Sequence, residues 1–163
     1  MQHTLTVTNQ ELTIQQLRHF LEHSSSIQVS EEALLKIARN RKYLEQKIAQ
    51  PGSKYYGINT GFGALCDVEI APDLLEQLQE NLLMSHACGM GDAVKPEVVR
   101  LMMLLKIKAL SMGYSGVSVE TVQQLATLYN HQILPVVWEV GSLGASGDLA
   151  PLSHLCLPLI GLG

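Results

Sequence analysis

The sequence predicts a mainly α-helical fold whose long loops are rich in glycine. Over most of the chain, apolar residues recur every three or four positions, the spacing of one face of an α-helix. Serine, threonine and proline stand where these helices should begin. Two clusters of glycine, at 57–63 and 141–147, interrupt the pattern and predict loops with unusual backbone angles.

The first two helices are predicted from the residues at their N-termini. Thr13 and Gln16 have the spacing of a capping box, and a helical apolar pattern follows them. Ser30 can cap a second helix that opens with two glutamates, whose charges stabilise a helix N-terminus. The apolar stripe of this helix ends at Pro51.

Three further helices follow from proline, serine and glycine. The third begins near Pro72 and ends before Gly89. The fourth begins with Pro96 in its first turn and ends before Gly113; because it is apolar on most sides, it is predicted to be central and buried. The fifth begins after its cap, Ser118.

Composition restricts the class of protein. The chain has 163 residues, of which 47% are hydrophobic and 16% charged, enough apolar surface for one folded domain over 1–163. Its mean hydropathy of +0.15 is slightly high for a free-standing small domain, so we expect other chain or a partner to cover part of the surface. The net charge of −4 and the lack of a basic run argue against nucleic-acid binding.

The cysteines and the apolar segments indicate a cytoplasmic protein. The three cysteines are scattered without a CxxC pair, which favours reduced thiols over disulfides. The N-terminus lacks the features of a signal peptide. The apolar stretch 149–162 contains two prolines, so no membrane span is expected.

The histidines do not predict a metal site. His19 and His23 are one helical turn apart, but no third ligand accompanies them, and we expect a solvated helix face. For His3, His131 and His154 the sequence suggests no partner.

The loop Gly141–Gly147 allows three interpretations from its residues alone. It precedes a helix with Asp148 at the N-cap position and Pro151 in the first turn, which suits a phosphate cradle, but no phosphate-binding motif is present. A serine nucleophile elbow needs G-x-S-x-G, whereas Gly147 follows Ser146 directly. The third interpretation is an ordinary turn capped by Asp148.

Two longer motifs resemble a known family. The segment Gly144–Leu152 (GASGDLAPL) and the upstream segment Tyr56–Gly63 (YGINTGFG) are similar to those of the aromatic amino acid ammonia-lyases, and the similarity runs from about Leu12 to the last residue. The resemblance implies the N-terminal part of a large helical lyase fold, with the active site on its glycine-rich loops. It also implies a homotetramer that acts on a small amino acid.

The resemblance implies a cofactor formed from the chain itself. In the family, the tripeptide Ala145-Ser146-Gly147 cyclises autocatalytically to a methylidene-imidazolone, so no dissociable cofactor and no metal are expected. The Gly147 nitrogen must reach the Ala145 carbonyl carbon, which small residues allow, and Ser146 loses its hydroxyl as water. Asp148 either holds the loop, assists proton transfer or is a plain N-cap.

The base and two substrate contacts are also implied by the resemblance. Tyr56 matches the family's base, although a phenol with a pKa of roughly 10 needs stabilisation of its phenolate to act near neutrality. Without the motif, Tyr56 would be interpreted as a packed aromatic residue. Asn59 can bind either the substrate or its own loop, and Leu149 is expected to contact the substrate.

The pair Ser85-His86 occupies the family's selectivity position. Members that act on phenylalanine tend to have Phe-Leu there, and those that act on tyrosine have His-Leu. Ser-His and Asn59 match the histidine branch, which predicts elimination of ammonia from L-histidine to give urocanate. A lyase or aminomutase acting on tyrosine or phenylalanine is the alternative, and for a lone His86 a core histidine would be the default.

The same resemblance predicts that these 163 residues are a fragment. Family members are much longer, and their sites combine residues from several subunits. The chain alone is therefore expected to be inactive. A truncated, non-catalytic structural or association module is the remaining alternative.

Overall fold

The computed structural model describes residues 3–141 and 149–163, and it is mainly helical as predicted. The Gly-rich segment 142–148 lies outside the described residues. In chain order the helices and strands are β1 His3–Val7, α1 Ile14–His23, β2 Ser24–Val29, α2 Glu31–Ile48, α3 Leu75–His86, β3 Met90–Ala93, α4 Pro96–Ser111, α5 Val119–Asn130, β4 Trp138–Val140 and α6 Leu149–Cys156. Short 3-10 turns occupy Gly63–Leu65, Pro72–Leu74 and Leu157–Ile160.

The predicted helix starts are confirmed by their caps. The Gln16 N–H lies 3.2 Å from Thr13 Oγ1, and Gln16 Oε1 accepts from the Thr13 N–H at 2.9 Å, which is a reciprocal capping box. Ser30 and Ser118 each accept a hydrogen bond from the N–H three residues on. The third helix differs, because Pro72 opens a 3-10 turn and the α-helix itself begins at Leu75.

A pair of parallel strands was not predicted from the sequence. β1 and β2 are joined by α1, the kind of helical crossover that parallel pairing requires. Val7 pairs with Val29, and both are buried. The carboxamide of Asn130 then bonds both backbone groups of Ile27, accepting at 2.8 Å and donating at 2.9 Å. A side chain from α5 thereby satisfies backbone groups of β2 that the sheet leaves unpaired.

The core lies between α4, α5, α2 and the parallel strands. Its largest fully buried side chains are Phe20, Ile37, Met103, Leu104, Ile107, Leu125, Tyr129 and Leu155. α4 is central as predicted, but it is only partly buried, since Val98 and Leu105 are about half exposed. The helix packs only one face into this core, so its second apolar face remains at the surface.

A small antiparallel pair brings the end of α3 to the start of the second glycine loop. Met90 pairs with Val140 and Ala93 with Trp138, with an irregular register between them. Gly91 has φ +86°, a backbone angle that favours glycine. The pairing places the segment after α3 beside Gly141. Among the described residues, no helix is both long and apolar enough to cross a membrane.

Candidate active site

Asn59 closes the loop that carries Tyr56. Its carboxamide oxygen accepts from the Tyr55 N–H at 2.7 Å, and its Nδ2 donates to the Ser53 carbonyl at 2.7 Å. Its side chain is buried, and the backbone N–H of Asn59 also donates to the Tyr55 carbonyl. The sequence leaves two roles open for Asn59, binding the substrate or holding its own loop. These contacts correspond to the second role.

The second half of the loop is held by backbone pairing. Thr60 and Glu69 form an isolated antiparallel bridge, and the Gly61 N–H donates to the Val68 carbonyl at 3.0 Å. A Cβ at Gly61 would lie 2.7 Å from the Leu65 carbonyl oxygen, so only glycine fits this approach. Gly61 therefore has a structural role in closing the loop.

Tyr56 projects from this closed loop with its phenol accessible. Its side chain is 66% exposed, and its ring packs edge-on against Phe62 at 5.9 Å between centroids. The Gly63 N–H lies 3.5 Å from the phenol oxygen, at the long limit of a hydrogen bond.

His86 is fixed at the C-terminal end of α3. Its Nδ1 lies 2.9 Å from the Leu82 carbonyl oxygen and 3.0 Å from Ser85 Oγ. Because a carbonyl can only accept, Nδ1 carries the hydrogen, which in the uncharged form of the ring leaves an acceptor lone pair on Nε2. No residue in the described ranges forms a hydrogen bond with His86 Nε2. The half-buried imidazole is thus oriented by its own helix end.

The chain after His86 contacts the residue before 142–148 and the helix that follows it. The Gly89 N–H donates to Nε2 of His154 on α6 at 2.9 Å. A Cβ built at Gly141 would lie 2.6 Å from Gly89 Cα and 3.3 Å from Ala150 Cβ. Gly141, the residue before 142–148, and His154, on the helix after it, therefore both contact Gly89.

The predicted site residues fall into three groups. Ala145, Ser146, Gly147 and Asp148 lie outside the described residues. Leu149 is the first residue of α6 and is half exposed, and the segment that follows His86 contacts Gly141 and His154 through Gly89. Tyr56 belongs to separate local structure, because in the described parts of the chain no hydrogen bond or ring contact joins it to His86.

Sequence reasoning missed the contact between His154 and Gly89. Burial lowers the pKa of His154 from its usual value, which favours the neutral ring that accepts from Gly89. The two residues are far apart in the sequence, and neither has a motif that predicts pairing. Over residues 3–141 and 149–163, no cluster of three or more histidine, cysteine or acidic side chains has an arrangement suited to a metal ion.

Comparison with known proteins identifies the family. Residues 12–163 match the family model described as aromatic amino acid lyase. The chain belongs to the aromatic amino acid lyase family. Its members act on amino acids and generally use a methylidene-imidazolone cofactor. The resemblance noted in the sequence is therefore confirmed.

Individual relatives include enzymes with different substrates in their names. The chain is 44% identical to histidine ammonia-lyase of Staphylococcus aureus over 160 residues, which are 98% of this chain and 32% of that protein. It is similar to the structure of histidine ammonia-lyase from Trypanosoma cruzi, with a TM-score of 0.83 and 34% identity over 99% of this chain and 31% of that one. A tyrosine aminomutase from Streptomyces globisporus gives a TM-score of 0.87 and 30% identity over 99% and 30%.

The chain spans about a third of the length of the curated relatives that it matches. Its own residues nevertheless fit the family cofactor chemically. Gly147 offers an unhindered amide nitrogen, Ser146 a hydroxyl that can leave, and Ala145 a carbonyl beside a small side chain. The close approach of Gly141 to Gly89 brings the start of this loop next to the segment that follows His86.

Proposed function

We propose that these residues belong to an enzyme that eliminates ammonia from L-histidine and releases urocanate. The observation that best supports this proposal is the imidazole of His86, which its helix end orients and whose following segment contacts Gly141 and His154, on either side of 142–148. The identity to histidine ammonia-lyase of Staphylococcus aureus agrees with it.

His86 is proposed to select the substrate ring. With its hydrogen on Nδ1, the ring can accept a hydrogen bond at Nε2 from an imidazole N–H. A phenylalanine ring has no such donor, so its binding would leave a desolvated acceptor unpaired, which costs affinity. Ser85 contributes indirectly, because its hydroxyl donates a hydrogen bond to the Leu82 carbonyl and lies 3.0 Å from Nδ1 of His86.

Tyr56 is proposed as the base that takes the β-proton. The C–H electron pair becomes the new carbon–carbon double bond, and the electron pair of the Cα–N bond leaves with ammonia. The reaction is redox-neutral and needs no external oxidant. The phenol oxygen that must accept the proton is exposed and lies 3.5 Å from the Gly63 nitrogen.

The loop 142–148 is proposed to carry the electrophile. The methylidene-imidazolone formed from Ala145, Ser146 and Gly147 would supply an electrophile that the amine or the ring of the substrate can attack. Asp148 holds the loop or assists proton transfer, and Leu149, half exposed at the start of α6, contacts the substrate. Asn59 contributes by fixing the loop on which Tyr56 lies.

The chain is proposed to act as the N-terminal part, residues 1–163, of a cytoplasmic homotetramer. Because it spans about a third of its curated relatives, we expect the remaining active-site residues to come from additional chain. By itself it should give no urocanate. A non-catalytic module remains the competing interpretation.

A substrate panel on a chimeric enzyme tests the proposed function. The chimeric enzyme consists of residues 1–163 of this chain followed by the part of the Staphylococcus aureus relative beyond the matched region. Histidine, tyrosine and phenylalanine are supplied in turn, and the ultraviolet absorbance of the arylacrylate products is measured. We expect turnover of histidine at a kcat/KM at least about 100-fold above the other two.

The other outcomes separate the alternatives. Preference for tyrosine or phenylalanine would contradict the histidine assignment. Formation of a β-amino acid, in which the amine returns to the neighbouring carbon, would indicate an aminomutase. A folded tetramer with no turnover of any of the three would support the non-catalytic module.

A further inference from the structure

The backbone between His86 and Gly89 is fixed at both ends. The Ala87 N–H donates to the Leu83 carbonyl at 3.1 Å, which extends the bonding pattern of α3. The Cys88 N–H donates to the His86 carbonyl at 2.9 Å. The next N–H, that of Gly89, donates to His154. The three backbone N–H groups from Ala87 to Gly89 therefore all have hydrogen-bond partners, and the partner of the last is His154 on α6.

His154 is well placed to hold this segment. It is 8% exposed, and its Nε2 accepts from the Gly89 N–H at 2.9 Å. Since an N–H can only donate, the ring is neutral with its hydrogen on Nδ1. A Cβ at Gly89 would lie 2.8 Å from Trp138 Cβ and 2.9 Å from His154 Nε2, so the backbone is packed too closely to shift toward α6.

The same contact involves the chain on both sides of 142–148. Gly141 precedes these residues and packs on Gly89, and His154, which accepts from the Gly89 N–H, belongs to α6, which follows them. Gly89 thus meets the entering and leaving chain at one point. Displacing Gly89 would move the end of α3 relative to both Gly141 and α6.

We propose that His154 is a positioning residue, whose hydrogen bond to Gly89 sets the location of His86 relative to Gly141 and α6, which flank residues 142–148. The inference rests on the proposed function in one respect, the role of His86 in selecting the substrate. His154 itself is not expected to contact the substrate. Its effect is on the ratio of substrates that the enzyme accepts.

A matched pair of substitutions isolates the hydrogen bond. In His154→Gln the amide oxygen can replace Nε2 as the acceptor, whereas His154→Leu fills similar volume and accepts nothing. His131→Leu serves as the control, because His131 is exposed at the end of α5. In the 163-residue chain, NMR measures the ring resonances of His86 and the exchange of the Gly89 amide.

The NMR arm does not depend on any activity. We expect the His86 ring resonances to move and the Gly89 amide to exchange about tenfold faster in His154→Leu, with His154→Gln and His131→Leu close to the unsubstituted chain. Unchanged His86 resonances in His154→Leu would overturn the inference. Equal changes in His154→Leu and His154→Gln would also overturn it, because the acceptor would then be irrelevant.

The chimeric enzyme separates this inference from the proposed function. We expect His154→Leu to lower the ratio of kcat/KM for histidine over phenylalanine about tenfold, mainly through KM for histidine, and His154→Gln to restore it. An enzyme that prefers tyrosine or phenylalanine but changes its substrate ratio in His154→Leu would refute only the histidine assignment. An enzyme specific for histidine with an unchanged ratio in His154→Leu would refute only the role of His154.

Discussion

The carboxamide oxygen of Asn59 accepts a 2.7 Å hydrogen bond from the backbone N–H of Tyr55, directly before the proposed base. The same side chain donates to the Ser53 carbonyl at 2.7 Å. One buried side chain thereby links the backbone before Tyr56 to the backbone after it. The geometry of Tyr56 depends on Asn59 more than on any contact of its own hydroxyl.

Replacing Asn59 with alanine is therefore expected to destabilise the chain. The Tyr55 N–H and the Ser53 carbonyl would each lose a partner, so we expect the free energy of unfolding to fall by about 1–3 kcal/mol. Urea denaturation measures it. Asn81→Ala, which removes only an exposed bond to Gln77, is the control and should change stability by less than about 0.5 kcal/mol. Equal stability of the two variants would contradict the role given to Asn59.

The helices could be predicted because their start signals are local. Thr13, Ser30 and Ser118 cap the helices that the sequence assigned to them. The strands were missed for the opposite reason. β1 is a five-residue segment whose pairing depends on β2, and β2 in turn is bonded by Asn130, far along the sequence. Such contacts arise from tertiary packing and leave no local pattern.

In the candidate site, too, local motifs could be predicted from the sequence and tertiary contacts could not. Tyr56 and His86 could be singled out because each lies in a motif, and the glycines around Tyr56 signalled a constrained loop. The contact of Gly89 with His154 could not be predicted, since it depends on how α3 and α6 meet. Glycines at 89 and 141 are the only signal, and two glycines in separate loops do not indicate mutual contact.

Tyr56→Phe tests the proposed base. The hydroxyl has only a long contact with the Gly63 N–H and the ring is 66% exposed, so folding should be unchanged. We expect kcat of the chimeric enzyme to fall by at least about 100-fold, because no group remains to accept the β-proton. Tyr55→Phe is the matched control and should keep the original rate. A Tyr56→Phe enzyme with near-original kcat would refute the assignment.

His86→Leu tests substrate selection. Leucine cannot accept a hydrogen bond from an imidazole N–H and offers an apolar surface to a benzene ring, so relative kcat/KM should move from histidine toward phenylalanine by about tenfold or more. Competition between the two substrates in the chimeric enzyme measures this. His19→Leu, on the exposed face of α1, should leave the ratio unchanged. If the His86→Leu ratio is also unchanged, His86 does not select the substrate.

Mass spectrometry tests whether Ala145, Ser146 and Gly147 cyclise. Ring closure between the Gly147 nitrogen and the Ala145 carbonyl carbon expels one water, and loss of the Ser146 hydroxyl with its α-hydrogen expels another. In the purified chimeric enzyme, we expect the peptide spanning Ser146 to lack the mass of both waters. Ser146→Ala cannot lose the second and provides the reference. A peptide of unmodified mass in an enzyme that still turns over histidine would exclude the proposed cofactor.

The buried His154 predicts a specific pH dependence of stability. Burial lowers its pKa in the folded chain below the usual value of about 6.5 that it has when unfolded. Below about pH 6.5 the unfolded chain therefore binds a proton that the folded chain does not, so the free energy of unfolding falls as pH falls through the folded pKa. The stabilising contribution is complete above the unfolded pKa.

Urea denaturation of the 163-residue chain between about pH 7 and 5 measures this effect. His154→Gln keeps an acceptor for the Gly89 N–H but cannot titrate, so its stability should fall less over this range than that of the original chain. His131→Gln removes an exposed histidine and should reproduce the original slope. If the stability of His154→Gln falls with pH as steeply as that of the original chain, His154 is not held neutral in the folded chain. The assignment of its Nε2 as acceptor for the Gly89 N–H would then also be wrong.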